Sequence, residues 1–277
     1  MSEYQRPKIE QRVFFDEDGN VISYGHRWPE GPPDERYSAI THPERFAPLR
    51  VVADALVSHL VTDYDVRVSG GMGLLDAVGE RVYALPSAAD VDRVARFIPN
   101  VEYCSAMVFV YTSYPGLCVY PGLFGAFVYP NCGFDACDET WESAAEELEE
   151  DVLAVVRGTY RETVNLNPLR KIGYRSGLGI NVGMGRTYGW QFDGPDGSPR
   201  ASSVSDASDV ELRALKAMKK RLRALAEVNP EGSWKAWPVA SAAPKCLASR
   251  WARLPDRFLV PSRQLGAFRS RLLGGRP

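Results

Sequence analysis

The residues whose types and spacing come nearest to chemistry are Cys132, Asp135, Cys137 and Asp138, in the run Cys-Gly-Phe-Asp-Ala-Cys-Asp. Two thiols and two carboxylates this close together are a ligand set for zinc, which takes thiolate sulfur and carboxylate oxygen in a tetrahedral shell. The Cys-x4-Cys spacing is not that of a zinc knuckle and no second Cys-x-x-Cys pair exists, so such a site would have to recruit Cys104 or Cys118 through the fold. Without a metal, the pair reads as two small buried thiols at the start of an acidic helix, and no cofactor is expected. Five cysteines in 277 residues are an odd count over a long chain, unlike a disulfide framework, so reduced thiols are the expectation.

A second constellation is basic. Ser208-Asp-Val-Glu211 has the form of a capping box opening a helix, with Leu212, Leu215, Leu222 and Leu225 on its apolar side and Asn229-Pro230 as its stop. Its other faces carry Arg213, Lys216, Lys219, Lys220, Arg221 and Arg223, a set suited to phosphate contacts, with tryptophans nearby for stacking. Charge is divided along the chain: residues 1–156 hold 11 basic and 26 acidic side chains, a balance of −15, and residues 157–277 hold 22 and 9, a balance of +13. Such a division means either halves that attract each other or a basic surface offered to nucleic acid or an acidic protein surface. An accessory binding or adaptor role without catalysis follows, and the bland alternative is a solvated helix face.

An enzyme is the less favoured reading. A thiol nucleophile would need His26, His42 or His59 as its base, and neither Gly-x-Ser-x-Gly nor His-Glu-x-x-His occurs. Acidic residues at Asp138, Glu139 and Glu142 are explained by the dipole at a helix start. Asp16 to Asn20 is tempting as a calcium loop, but its glycine comes too early and Arg27 stands where the closing glutamate belongs. Ser69-Gly-Gly-Met-Gly73 lacks the lysine of a phosphate loop.

These residues are positioned by a block from Tyr103 to Phe134, 32 residues without one charged side chain. Pro115, Pro121 and Pro130 with four glycines rule out a membrane-spanning helix. Met107 to Tyr111, Leu117 to Tyr120 and Leu123 to Tyr129 read instead as consecutive strands joined by Pro-Gly turns, the buried centre of a sheet. Trp141, Ala145, Leu148, Val152 and Val155 make the apolar stripe of a following helix that Gly158 ends. Ahead of the block, a hairpin about Asp16 to Asn20, a helix from Pro48 to Asp63 with Leu49, Val52, Leu56 and Leu60 inward, and a strand near 64–68 are expected, with a further strand at 81–85 and a short helix at 88–97. After it, strands are expected at 159–165 and within 173–190, where glycines alternate with Leu178, Ile180, Val182 and Met184.

The fold class is therefore α+β: a central, largely antiparallel sheet with packed helices and a basic helical C-terminal extension. Residues 1–192 form the core domain, 193–203 (DGPDGSPRASS) a linker or exposed loop, and 204–277 the basic region, closing on a short helix at 262–273. No signal peptide or spanning segment is visible, so the cytoplasm is the expectation and a membrane is not.

The segments Tyr37-Ser-Ala-Ile-Thr-His-Pro-Glu-Arg-Phe-Ala-Pro-Leu49, Tyr114-Pro-Gly116 and Cys132-Gly-Phe-Asp-Ala-Cys-Asp-Glu139 together resemble an uncharacterised family of actinobacterial proteins over roughly residues 37–190. The cysteine segment is the most specific piece. The resemblance implies an actinobacterial or phage origin and no activity. Relatives often carry a further cysteine where this chain has Phe134, which sets the chain apart from any cluster of metal ligands they hold.

Overall fold

The uncharged block becomes the middle of a sheet. In the computed structural model, which describes residues 3–75, 86–167, 185–194, 196–207 and 210–241, the strands are β1 (Val66–Gly70), β2 (Val91–Pro99), β3 (Met107–Thr112), β4 (Leu117–Pro121) and β5 (Phe127–Tyr129). They pair in chain order, each antiparallel to the next. Strand β3 shows why the block has no charge. Met107, Phe109 and Tyr111 enter one buried layer and Val108 and Val110 another, so neither face offers water to an ionised group.

Residues 88–97, expected as a short helix, are instead a single 3-10 turn (Ala88–Asp90) running into β2. Val91, Val94 and Phe97 recur every third residue, a helix-like spacing. A register shift between Val91 and Arg93 puts Val91 and Val94 on the same face, while Ala95 and Phe97 alternate normally onto the other. The bulge converts a three-residue period into a strand.

Two helices cover one face of this sheet: α1 (Pro48–Asp63) and α2 (Trp141–Arg157). The expected stripes hold: Leu49, Val52, Leu56 and Leu60 of α1 are buried, as are Ala145, Leu148, Val152 and Val155 of α2. Pro48 stands in the first turn of α1, and Gly158 ends α2 at φ 79°. No helix among the described residues is long and apolar enough to cross a membrane.

A second sheet follows, of β6 (Tyr160–Asn165), β7 (Thr187–Asp193) and β8 (Pro199–Asp206), again antiparallel in chain order. The stretch 193–203, expected as a linker or exposed loop, thus contains the turn and first half of a strand, with Gln191 opposite Ser202 and Phe192 opposite Ala201. Its Gly, Pro and Ser composition marks the hairpin turn and an edge strand whose outer positions are wet. Helix α3 (Leu212–Val228) seats Leu215 and Leu225 in the same core as Phe109 and Tyr160. Its N-cap is Glu211, without a side-chain capping bond, and it stops before Asn229 as expected. The strand expected at 81–85, the glycine alternation at 173–184, Ser208 with Asp209, and the helix at 262–273 lie outside the described residues.

The two sheets meet at aromatic contacts and at one carboxylate. Phe124 stacks on Tyr188 with centroids 5.2 Å apart, and Phe127 meets Trp190 at 4.8 Å. Glu162, on β6 and buried, accepts from the backbone N–H of Leu123 (2.9 Å) and Phe124 (2.6 Å), from the Tyr160 hydroxyl (2.9 Å) and from Trp234 Nε1 (2.9 Å). Burial raises its pKa against the pull of these donors. The chain after α3 then runs as a strap across the molecule. Trp234, Lys235 and Trp237 donate their N–H groups to the carbonyls of Tyr160, Tyr103 and Val156, and Ala240 donates to Asp63. The strap passes over Gly158, where an added Cβ would lie 2.5 Å from the Ala236 nitrogen, so that glycine answers both a positive φ and a backbone crossing. Glu162→Gln is expected to cost about 2–4 kcal/mol, because its amide NH2 would face buried donors. Denaturant titration checks this, and a loss below the scatter of surface substitutions would deny Glu162 its central role.

Candidate functional site

Cys132 and Cys137 are joined by a disulfide, with Cα atoms 6.2 Å apart, which corrects the expectation of reduced thiols. An odd cysteine count speaks against a chain-wide framework, but not against two cysteines brought together by one turn. Asp135–Cys137 is a 3-10 turn and Asp138 follows in the left-handed conformation at φ 50°, which folds Cys137 back on Cys132. Cys104 and Cys118 do not join them: Cys104 Sγ donates to the Ala236 carbonyl, and Cys118 lies in the sheet layer with Val108 and Val110. Among the described residues no three His, Cys, Asp or Glu side chains gather as a metal ion requires.

The two carboxylates of the segment are engaged by an N-terminal arm. Residues 3–46 cross the start of α2 with little regular structure: the expected hairpin is reduced to the bridge Phe15↔Val21 around the Asp16 turn. Asp135 is fully buried, and every polar group it has meets this arm. Its carboxylate accepts from the N–H of Thr41 at 3.0 Å and from the Thr41 hydroxyl. The guanidinium groups of Arg36, Arg27 and Arg45 stand 3.6, 3.9 and 3.9 Å away. Its carbonyl accepts from Arg27 Nη2 (2.7 Å) and Trp28 Nε1 (2.9 Å), and its N–H donates to the Ala39 carbonyl (2.9 Å). Asp138 accepts from the N–H and Nε of Arg27. Thr41 gives its hydroxyl to Asp135, and His42 beside it is left-handed at φ 50°.

Glu139 does not serve the helix dipole either. It accepts from the N–H groups of Asn131 (3.0 Å) and Cys132 (2.8 Å), closing the base of the disulfide loop, and burial raises its pKa. Helix α2 begins only at Trp141, capped by Thr140, whose hydroxyl accepts from the Ser143 N–H (3.1 Å). A cleft of about 170 Å3 opens beside this cap, walled by Phe14, Ile22, Tyr24 and Arg45 of the arm and by Pro48 and Trp141 of the body.

The histidines and the remaining thiols of the described residues stand apart. Burial pushes Cys118 up to about 11 and also raises Cys104, which keeps both protonated and poor as nucleophiles at neutral pH. His42 bonds Glu44 and the Phe15 carbonyl, His59 meets Asp63 at 3.1 Å, and His26 is exposed.

On α3, Arg213, Lys216, Lys220, Arg221 and Arg223 are exposed and Lys219 is half-buried. Arg213, Lys216, Lys220 and Arg223 succeed one another at spacings of three, four and three, a single stripe along the helix. No carboxylate of the described residues lies within 4.0 Å of any of the six, whereas eight arginines elsewhere are ion-paired.

Sequence reasoning singled out Asp135 and Asp138 but not their partners. Arg27 is 111 positions from Asp138 and Thr41 is 94 from Asp135, and no local spacing encodes contacts of that span. Asp135→Asn would leave three arginines around an uncharged amide, and a loss of about 3 kcal/mol is expected in chemical denaturation. A near-neutral result would mean that the arginines are satisfied without it.

No curated protein and no solved structure matches this chain. A family model matches residues 10–241, which include the arm from residue 10 onward, both sheets and the described length of the strap. The chain therefore belongs to the family of unknown function DUF6226.

Proposed function

We propose that the protein is an accessory binding protein without catalysis, and that it contacts nucleic acid through the exposed basic stripe of α3. The observation that carries this reading is the contrast in charge pairing. Arg6, Arg27, Arg36, Arg45, Arg50, Arg93, Arg161 and Arg200 each meet a carboxylate, while the six cations of α3 meet none among the described residues. Cations left unpaired along one exposed stripe keep their full attraction for a polyanion, and phosphate binding releases its condensed counterions. The acidic face of α2 does not neutralise the stripe: Glu149 is held by Arg6, and Glu150 and Asp151 by Arg200. The reading invokes no cofactor.

Anisotropy of a labelled DNA duplex and a labelled RNA strand, titrated between 50 and 200 mM salt, tests it. Affinity is expected to fall steeply with salt, and Lys216→Ala/Lys220→Ala/Arg223→Ala to weaken binding while lowering the salt slope by about 2–3. Binding that ignores salt, or a triple variant that binds as the parent does, would overturn the reading. So would binding to an acidic polypeptide with none to either nucleic acid.

A further inference from the structure

The arm is fastened at few points, and the most heavily bonded is inside the disulfide loop. Its outer end is held by Tyr4 and Arg6, both on Glu149 of α2, and its inner end by Phe46 in the core. Between them Gln11 donates to Glu142 and Arg45 to the Gly133 carbonyl, and the largest share of the grip falls on Asp135 and Asp138. The turn that presents Asp135 is three residues long, with Cys137 donating its N–H to the Phe134 carbonyl at 3.2 Å. A single 3-10 turn has no stability of its own. It keeps its place because the disulfide ties its last residue back to Cys132 and Glu139 bonds the base of that loop.

We propose that the Cys132–Cys137 disulfide is a redox-sensitive clasp: closed, it presents Asp135 to the arm and holds the arm on the body, and opened by a dithiol it lets the arm go. Cys137 is exposed, so a thiolate of the reductant reaches its sulfur. Attack breaks the Cys132–Cys137 bond, expels the Cys132 thiolate and forms a mixed disulfide. The second thiolate of the reductant then displaces Cys137. The dithiol leaves as its own disulfide, and two electrons and two protons have passed to the two cysteines.

Release follows from charge as well as geometry. Arg27, Arg36 and Arg45 are gathered around one carboxylate, and once that carboxylate shifts they repel one another. The cleft beside Thr140 goes with the arm, since Phe14, Ile22 and Tyr24 form its outer wall. The clasp is independent of the basic stripe on α3 and stands or falls without it.

Hydrogen exchange on the full chain, read by mass spectrometry, tests the proposal in the disulfide form, after treatment with dithiothreitol, and in Cys132→Ser/Cys137→Ser. The amides of Arg27 and Thr41, which donate directly to Asp138 and Asp135, are the reporters. They are expected to exchange at least about tenfold faster in both forms lacking the disulfide, with β3 and α1 unchanged. If the serine variant does not fold, the reduced parent carries the comparison. Thr41→Val, with the disulfide intact, is expected to speed exchange at Arg27 as well, because the grip runs through Asp135. Unchanged reporters after reduction would overturn the clasp, as would loss of protection in β3 together with the arm. A Thr41→Val chain that exchanges like the parent would overturn its route through Asp135.

Discussion

A buried carboxylate has to find donors, and Glu162 finds them in three separate parts of the chain. The turn after β4 gives backbone N–H groups, β6 gives the Tyr160 hydroxyl and the strap gives the Trp234 indole. An unmet charge at this depth would cost several kcal/mol, so each of the three parts is constrained to lie where the oxygens are. The five-stranded sheet, the three-stranded sheet and the strap thereby meet at a single side chain, beside the aromatic contacts between the sheets and the backbone bonds of the strap. Gly122 underlines how close the fit is, since an added Cβ there would fall 2.3 Å from Glu162 Oε2.

What the sequence discloses is set by the range of the interaction. The stripes of α1 and α2, two of the strands cut from the uncharged block, the proline at the start of α1 and the glycine ending α2 all depend on neighbours within a few positions, and all stand in the structure. The third strand, expected over Leu123 to Tyr129, is shortened to Phe127–Tyr129 because the N–H groups of Leu123 and Phe124 turn to Glu162. Strand β2 is concealed because its bulge turns a strand into a three-residue period. The β7–β8 hairpin is concealed because its edge strand is built from serines and a proline that read as loop. At the candidate site the split is sharper. Asp135, Asp138 and the two cysteines stand out by local composition, whereas Arg27, Trp28 and Thr41 acquire meaning only from an aspartate about a hundred positions away.

The division of charge along the sequence is partly spent within the fold. Arg200 of β8 bonds Glu150 and Asp151 of α2, and Arg6 of the arm bonds Glu149, so the acidic face of α2 is served from both directions by arginines. Lysine and arginine on α3 are left out of this exchange among the described residues. Arginine makes the paired contacts of the body, in keeping with its planar fork, and the lysines of α3 keep a mobile charge at the surface. The cations of the chain therefore have two physical roles: the paired arginines hold the fold, and most of those on α3 face outward.

The strap also ties the molecule to the direction in which it is made. Trp237 donates its indole N–H to Ser105 across 132 positions, and Ala240 bonds the end of α1. The ribosome delivers α1 and the five-stranded sheet long before this segment leaves the exit tunnel. The nascent chain therefore waits without the hydrogen bonds that this segment gives to the carbonyls of Asp63, Tyr103 and Val156 until the strap emerges.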